Sequence, residues 1–371
     1  MRKIKILHTA DLHLDSPFEG LGASKAALRR SEQRRLLYAI SALARERNVD
    51  LVLMSGDLLD SDSSYQETGR ELFESLRAMA VPVFIAPGNH DYYSPRSPYA
   101  RMKMPSNVHI FTENRIQCVE LPELHVRVYG AAYTDSSSPA LLRDFKVDKG
   151  WSAIDVMCLH GEVAGEDSPY APISIEELEN SNLDYVALGH IHKASGLLRA
   201  GRTWYSWPGC PEGRGFDECG EKYVNIVELG ETGCTMEQVS LAFRRYETLS
   251  VDVTGTEPLL AIHAALSDDT VKDIYRIELT GECDSAPDTA ALYASLGELF
   301  FHLQIKDKTR PRSSLWEKAG EDSLRGLFLS MLKEQYDAVS TQEEMARIEQ
   351  AVRWGLAALD NGEEVVVHED Q

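Results

Sequence analysis

"VDLVLMSGDLLD", residues 49–60, is a short run of large apolar residues that ends in glycine and aspartate. Such a run is typical of a buried strand, and the Ser-Gly-Asp that follows it predicts a sharp turn. Stretches with helical spacing flank it at 30–48 and 68–80. Beyond them lie two more strand-like runs with similar ends, "KIKILHTADLH" (3–13) and "VPVFIAPGNHD" (81–91). Strands that alternate with helices predict an α/β fold with parallel strands, whose carboxyl-end turns meet at one edge of the sheet.

The α/β pattern continues to about residue 245 and then changes. Further strands are predicted at 125–133, 153–162 and 182–192, and antiparallel or meander strands at 202–210 and 222–229. We therefore expect a sandwich of two mixed β-sheets flanked by helices, followed by a smaller α+β capping domain and a helical C-terminal region. The predicted domains are the catalytic domain 1–245, the capping domain 246–312 and the C-terminal region 313–371.

Composition limits the classes of protein that the chain can represent. Its 371 residues are 43% apolar and 26% charged, which is typical of a globular protein of about two domains. The sequence shows no signal-peptide pattern, and no run approaches the roughly 18 apolar residues of a membrane span. Six cysteines without C-x-x-C pairs are expected to be free thiols, so we predict a cytoplasmic protein. A net charge of −21 argues against a broadly basic nucleic-acid surface; a bound polyanion would need a local site, a metal or a partner.

Polar residues able to bind metal follow the predicted strands. In chain order these are Asp11 and His13, Asp57 and Asp60, Asn89, His90 and Asp91, His160, and His190 and His192. Imidazole, carboxylate and amide oxygen form a ligand set suited to Mn, Fe or Zn, whereas a structural zinc centre would use thiolates. Two ions that share one carboxylate need about eight ligands, a number that this set supplies.

The spacing of the paired residues has a physical reason. Side chains two apart on a strand point the same way, so Asp11 and His13 can reach one ion if the strand is still extended there. His190 and His192 share this spacing, but a backbone twist beyond the strand end can send them to two neighbouring ions. Each short motif alone is weak, because a D-x-H string or an isolated histidine is common. Five such elements in order, each at a strand end, predict a binuclear metal centre.

The ordered set D-x-H, G-D-x-x-D, G-N-H-D, H and G-H-x-H resembles the calcineurin-type metallophosphoesterase superfamily. The segments "ILHTADLHLDSPFEGL", "PGNHD", "LGHIH" and "PGCPEGRGFDE" are similar to its DNA-repair exonuclease branch, which includes SbcD-like nuclease subunits and, nearer still, YhaO-type proteins. The resemblance covers residues 1–245, and "RRYETLSVDVTG" resembles the start of that branch's capping domain. Cys210 departs from the pattern, since serine or asparagine is expected after "PG".

The resemblance implies a role for each matching position. One divalent ion would be held by Asp11, His13, Asp57 and His192, and the other by Asp57, Asn89, His160 and His190, with Asp57 as the bridge. His90 would donate a proton to the leaving oxygen or stabilise charge on the phosphoryl group, and Asp91 would orient that imidazole. Asp60 fits a structural role as well as a catalytic one. The two ions, manganese first with iron or zinc as alternatives, would activate a water molecule for in-line attack.

Three functions stay open at this point. The first is a nuclease that acts on DNA in repair, as an exonuclease or an endonuclease, which the second module after residue 245 and the narrower resemblance favour. The second is a phosphodiesterase or phosphatase for small nucleotides. The third is a non-catalytic regulatory subunit with a structural metal site; the presence of His90 argues against it, because metal binding alone does not require that residue. The resemblance also implies an SMC-like ATPase partner bound through the C-terminal helices, and a homodimer. An apolar stripe in those helices is expected mainly to pack inside the chain: Leu324, Leu327, Phe328, Met331 and Leu332.

Overall fold

The computed structural model describes residues 3–61, 65–101, 103–148, 153–163, 168–230, 233–267, 269–283, 285–311, 316–339 and 341–361. The strands are β1 (Ile4–Thr9), β2 (Leu51–Met54), β3 (Val83–Ile85), β4 (Val108–Ile110), β5 (Gln117–Leu121), β6 (Val126–Gly130), β7 (Ile154–His160), β8 (Tyr185–Gly189), β9 (Leu198–Ala200), β10 (Thr203–Ser206), β11 (Val224–Gly230), β12 (Gly233–Val239), β13 (Tyr246–Asp252), β14 (Ile274–Thr280), β15 (Glu282–Cys283), β16 (His302–Asp307) and β17 (Arg310–Pro311). The helices are α1 (Ala23–Glu46), α2 (Gln66–Ala78), α3 (Pro98–Arg101), α4 (Ile175–Asn180), α5 (Pro258–Ala265), α6 (Thr289–Leu296), α7 (Leu324–Ala338) and α8 (Gln342–Asn361), with a 3₁₀ turn at Gly297–Leu299.

Both large sheets mix parallel and antiparallel strands, as predicted. The first has the order β12-β11-β1-β2-β3-β4, in which β1 to β4 are parallel neighbours and β11 and β12 are antiparallel. The second has the order β5-β6-β7-β8-β10-β9, with four parallel strands between antiparallel edges. The strand predicted at 202–210 is antiparallel only on its β9 side, because its other edge pairs parallel with β8.

The two sheets face each other, and helices cover their outer sides. On β1, Ile4 and Ile6 share a buried cluster with Val156 of the second sheet. Leu7, which points to the opposite side of the strand, packs instead with Leu37 of α1. This period of two is the pattern of a strand buried on both faces. The predicted sandwich flanked by helices is therefore confirmed.

The chain divides into two compact units. The first holds Met1–Leu249, Leu266–Ile277 and Tyr293–Gln304 and contains both large sheets. The second holds Ser250–Ala265, Glu278–Leu292 and Ile305–Gln371, of which the structure describes residues up to 361. Strands β13, β14 and β16 form a three-stranded sheet, and β15 pairs with β17. The domain limits at 245 and 312 stay predictions, and the second of them falls on residues outside those that the structure describes.

The C-terminal helices α7 and α8 pack on each other, but the apolar stripe of α7 is only partly covered. Phe328 is half-buried and lies against Gly355 of α8. Leu324, Leu327 and Met331 are 70%, 59% and 59% exposed, so the expectation that the stripe packs inside the chain is wrong for these three residues.

Two predictions from composition can be compared directly with the structure. All six cysteines are free thiols, as expected. Among the described residues, no helix combines the length and the apolar character that crossing a membrane requires.

Candidate metal centre

The seven predicted metal ligands come together where five parallel strands end. Each ligand lies at the end of a strand or just after it: Asp11 and His13 after β1, Asp57 after β2, Asn89 after β3, His160 at the end of β7, and His190 and His192 after β8. Asp11, His13, Asp57 and His160 are at most 1% exposed, and the other three are half-buried. Donor atoms of Asp11, Asp57 and His160 lie within 4.8 Å of one another, as do those of Asp11, His13 and His192.

Several of these residues have a strained backbone. Asp11, His13, Asp57 and His190 have φ values of 53°, 43°, 50° and 92°, in the region that favours glycine. Such conformations cost about 1–3 kcal/mol each and persist only where the surrounding structure enforces them, most often at functional sites. The strand ends at Thr9, so the condition that the backbone is still extended at Asp11 and His13 is not met. Backbone hydrogen bonds hold the turn instead, from Asp11 N to Gly56 O at 3.0 Å and from His13 N to Asp57 O at 2.9 Å.

Two glycines let the turns approach one another. Gly56 has a φ of 85°, and a Cβ there would lie 2.5 Å from His160 Nδ1. A Cβ on Gly189 would collide with the carbonyl oxygen of Ser55. The turns after β2 and β8 can meet only because these positions have no side chain.

Each of the four imidazoles has one ring nitrogen that faces the interior of the cluster. Its other ring nitrogen faces outward, toward a carbonyl or a carboxylate. His13 Nδ1 donates to Asp60 Oδ1 at 3.1 Å, and His160 Nδ1 donates to the carbonyl of Ser55 at 2.9 Å. His192 Nδ1 lies 2.9 Å from Glu218 Oε1. In these three residues Nε2 faces the interior of the cluster. His190 is reversed, with Nδ1 inward and Nε2 3.9 Å from Glu162. Outer acceptors of this kind fix the tautomer of metal-binding histidines.

The inward atoms form two groups that share Asp57. His13 Nε2 and His192 Nε2 are 3.1 Å apart. In the other group, Asn89 Oδ1 lies 3.0 Å from His160 Nε2 and 3.2 Å from His190 Nδ1. Between the groups, Asp57 Oδ2 is 3.7 Å from His13 Nε2 and 3.4 Å from His160 Nε2. Two ligands of one ion with bonds of about 2.1 Å lie roughly 3 Å apart, so these residues fit a pair of divalent ions.

Electrostatics favour the same interpretation. Burial raises the pKa of Asp11 to about 6, and the nearby charge of Asp57 adds to this effect. Burial would lower the pKa of His160, but Asp57 beside it raises that pKa to about 9. Burial lowers the pKa of His13 and of His190 to about 4, which leaves both imidazoles in the neutral form that binds metal. Without metal, a protonated His160 supplies part of the positive charge that the two adjacent buried carboxylates need. A divalent ion would displace that proton and supply the charge instead.

His90 and Asp91 occupy different environments despite being neighbours. The His90 ring is exposed, and its Nδ1 donates to the Asp60 carbonyl at 3.2 Å. The Asp91 carboxylate is fully buried and accepts hydrogen bonds from the amides of Gly88 and Leu58, at 2.8 and 2.7 Å, and from the hydroxyl of Tyr99. Its hydrogen bonds to the described residues thus hold the turns that carry Asp57 and Asn89, and the contact that orients His90 comes from Asp60.

Sequence reasoning missed a ring of charged residues around one ion position. Arg214 bonds Glu218 at 2.6 Å and Asp60 at 3.3 Å, and these carboxylates are the outer acceptors of His192 and His13. His192 and Arg214 hold the pKa of Glu218 well below its usual range although burial alone would raise it. The segment "PGCPEGRGFDE" contains Arg214 and Glu218, but their spacing gives no signal without the fold. Cys210 of the same segment is buried, and its thiol donates to the carbonyl of His192 at 3.5 Å.

Comparison with known proteins agrees with this geometry. The profile of a family described as calcineurin-like phosphoesterase matches residues 4–194. The chain is 30% identical over 286 residues to the uncharacterized metallophosphoesterase YhaO of Bacillus subtilis, covering 71% of this chain and 67% of that protein. It is 27% identical over 266 residues to SbcD, a component of the SbcCD nuclease of Bacillus subtilis, covering 61% of this chain and 66% of that protein. It is 25% identical over 306 residues to the DNA double-strand break repair protein Mre11 of Methanosarcina acetivorans, covering 76% of this chain and 47% of that protein.

Replacing Asp91 by alanine should destabilise the protein by about 3 kcal/mol or more, because several buried donors lose their acceptor together. His90→Ala, at an exposed ring, should change stability by less than about 0.5 kcal/mol. Urea denaturation of the metal-free variants measures both effects. Equal stabilities for the two variants would contradict the structural role of Asp91.

Glu218→Gln should weaken the binding of one metal ion by about 10- to 100-fold and leave the second unchanged, because a neutral amide replaces the charged partner of His192 and Arg214, which both lie beside that ion. Titration with manganese, followed by the electron paramagnetic resonance signal of the free ion, resolves the two affinities. Glu237→Gln, at an exposed carboxylate that pairs with Arg47, is the matched control. Equal weakening of both ions, or of neither, would refute the proposed pairing of His13 with His192.

Proposed function

The chain belongs to the calcineurin-like phosphoesterase family of metal-dependent hydrolases with a binuclear site, and from this membership we propose that it cleaves phosphodiester bonds in DNA. The observation that carries the proposal is the pair of ligand groups that share Asp57. The reaction is a hydrolysis at the rim where the parallel strands end, and its cellular role is that of an exonuclease or endonuclease in DNA repair.

Two relatives support DNA as the substrate. One is a component of a nuclease and the other a DNA double-strand break repair protein, and each matches well over half of this chain. The YhaO relative is uncharacterized and indicates no substrate, so DNA as the substrate of this chain is part of the proposal. A second compact unit beyond the two-sheet sandwich also favours a large substrate over a small one.

We assign the ligands to two ions according to the inward groups. Asp11, His13 and His192 would hold one ion, Asn89, His160 and His190 would hold the other, and Asp57 lies within reach of both groups. Manganese is the proposed metal, because imidazole nitrogen together with carboxylate and amide oxygen suits it, and iron or zinc can take the same ligands. When bound, the two ions neutralise charge on the phosphoryl oxygens and lower the pKa of water at the site.

The side chains around the ions have their own tasks. The exposed His90 imidazole is anchored through Nδ1 to the Asp60 carbonyl, which leaves Nε2 free to donate a proton to the leaving oxygen. The His90 backbone amide also donates to Asp57 Oδ1 at 2.9 Å, so the acid and the shared carboxylate are held by one turn. Asp91 acts as a positioning residue for that turn. Asp60 positions His13 through its carboxylate and His90 through its carbonyl.

The exposed side chains on α7 support the proposal of a protein partner. Leu324, Leu327 and Met331 are arranged one turn apart on a solvent-facing side of the helix. We propose that an SMC-like ATPase binds here and contributes the basic surface that this acidic chain lacks. A homodimer and a cytoplasmic location, which would keep the six thiols reduced, are further parts of the proposal.

A cleavage assay with manganese tests the function. Single- and double-stranded DNA should be cleaved faster than cyclic nucleotides, with bis-p-nitrophenyl phosphate as a general substrate for the centre. His90→Ala should lower kcat by about 10²-fold or more, because the leaving oxygen then lacks its acid, and should keep both ions. His263→Ala, at an exposed histidine of α5, is the matched control and should behave as the wild type.

Three other outcomes of these assays would change the proposed function or the role of His90. Turnover of cyclic nucleotides without DNA cleavage would replace the nuclease by a small-nucleotide phosphodiesterase. Full metal content without turnover of any substrate would identify a non-catalytic subunit. A wild-type rate in His90→Ala would eliminate the proton-donor role.

A further inference from the structure

A cavity of ≈ 200 Å³ lies beside His192 within the first compact unit. Its wall includes His192, Lys193, Cys210, Cys219, Glu221 and Lys222. None of the four residues Lys193, Cys219, Glu221 and Lys222 takes part in the proposed metal binding or proton transfer, so the cavity has a chemistry of its own next to the centre.

Lys222 is the unusual member of this wall. The residue is only 7% exposed, and its ammonium group makes no hydrogen bond and no ion pair with any residue that the structure describes. The ammonium is not fully enclosed by protein, and it lines the cavity as a positive charge that no described carboxylate neutralises. An anion in the cavity would satisfy it.

The remaining wall groups favour an anion. Lys193 is exposed and adds a second positive charge. The one carboxylate among the wall residues named above, Glu221, is neutralised by Arg245 at 3.1 Å. The thiols of Cys210 and Cys219 donate to the backbone carbonyls of His192 and Phe216, so both act as neutral donors. The cavity therefore carries a net positive charge in a protein whose overall charge is −21.

The cavity shares one residue with the metal centre. His192 forms part of the wall, and its Nε2 lies 3.1 Å from His13 Nε2 in the metal centre. A DNA strand carries a phosphate at every nucleotide, so a strand with one phosphate at the centre has another close by. A simple phosphoester has no second phosphate to offer.

We propose that the cavity of Lys222 and Lys193 binds the phosphate that neighbours the hydrolysed one in a DNA strand. This inference rests on the proposed function and deepens it, because it gives a local reason why an acidic chain would prefer a polynucleotide to a small phosphoester. The contact is a charge-assisted hydrogen bond from a lysine ammonium to a phosphate oxygen.

Binding to the metal-free protein tests the cavity without using catalysis. The probe is a fluorescent single-stranded tetranucleotide, with inorganic phosphate as a competitor. Lys222→Met removes the charge and keeps the aliphatic stem, and it should raise the Kd of the tetranucleotide by about tenfold or more. Lys222→Arg should restore binding, and Lys103→Met, at an exposed lysine between α3 and β4, should change the Kd by less than about twofold. Lys193→Met, on the exposed side of the wall, is the second variant if Lys222→Met does not fold.

Kinetics then separate this proposal from the proposed function. In Lys222→Met, KM for a DNA oligonucleotide should rise relative to KM for bis-p-nitrophenyl phosphate, with two ions still bound per chain. A wild-type protein that cleaves no DNA would refute the proposed function. The Kd values would still show whether the cavity binds a phosphate group. Two results would overturn the neighbouring-phosphate site. One is an equal Kd in Lys222→Met and Lys103→Met. The other is that Lys222→Met loses only the competition by inorganic phosphate and still binds the tetranucleotide as the wild type does.

Discussion

Two buried carboxylates lie together with four imidazoles, two buried and two half-buried, where five strands end, and the surrounding structure is arranged around this cluster. Asp11 and Asp57 repel each other unless positive charge lies between them, so the site is made for cations. Four ligand residues have left-handed backbones, and glycines at 56 and 189 allow the turns to meet. The two sheets supply the rigidity that this strain requires, because their parallel strands end at one rim and are buried on both faces.

Much of the centre could be predicted because its ligands follow strands that the sequence reveals by pattern. The turns after β1, β2 and β3 carry Asp11, Asp57 and Asn89, and the apolar runs before them mark the strand ends. The detailed geometry could not be predicted in the same way. Asp11 and His13 converge through left-handed turns, since β1 is no longer extended there. Asp91 follows His90 in the chain but points into the protein, where it binds backbone amides. Arg214 and Glu218 reach the site from a loop without periodicity, so only the fold reveals them.

The proposed action on DNA would require an acidic protein to hold an acidic polymer, and the structure offers local positive charge for this. Its positive charge is local: Arg214 lies between the carboxylates that orient His13 and His192, and Lys222 lines a cavity beside His192. Ions at the centre would add more charge where the substrate phosphate must lie. In the proposed function, specificity for a strand over a small ester would depend on groups around the centre and on the second unit, whereas the hydrolytic chemistry depends on the centre itself. This division matches a family whose members share a catalytic centre and differ in substrate.

The most direct test of the central claim is anomalous diffraction from crystals grown with manganese. The structure predicts two peaks about 3.5–4 Å apart. One should lie among Asp11, His13 and His192, the other among Asn89, His160 and His190, with Asp57 touching both. A single peak, or peaks away from these residues, would contradict the account.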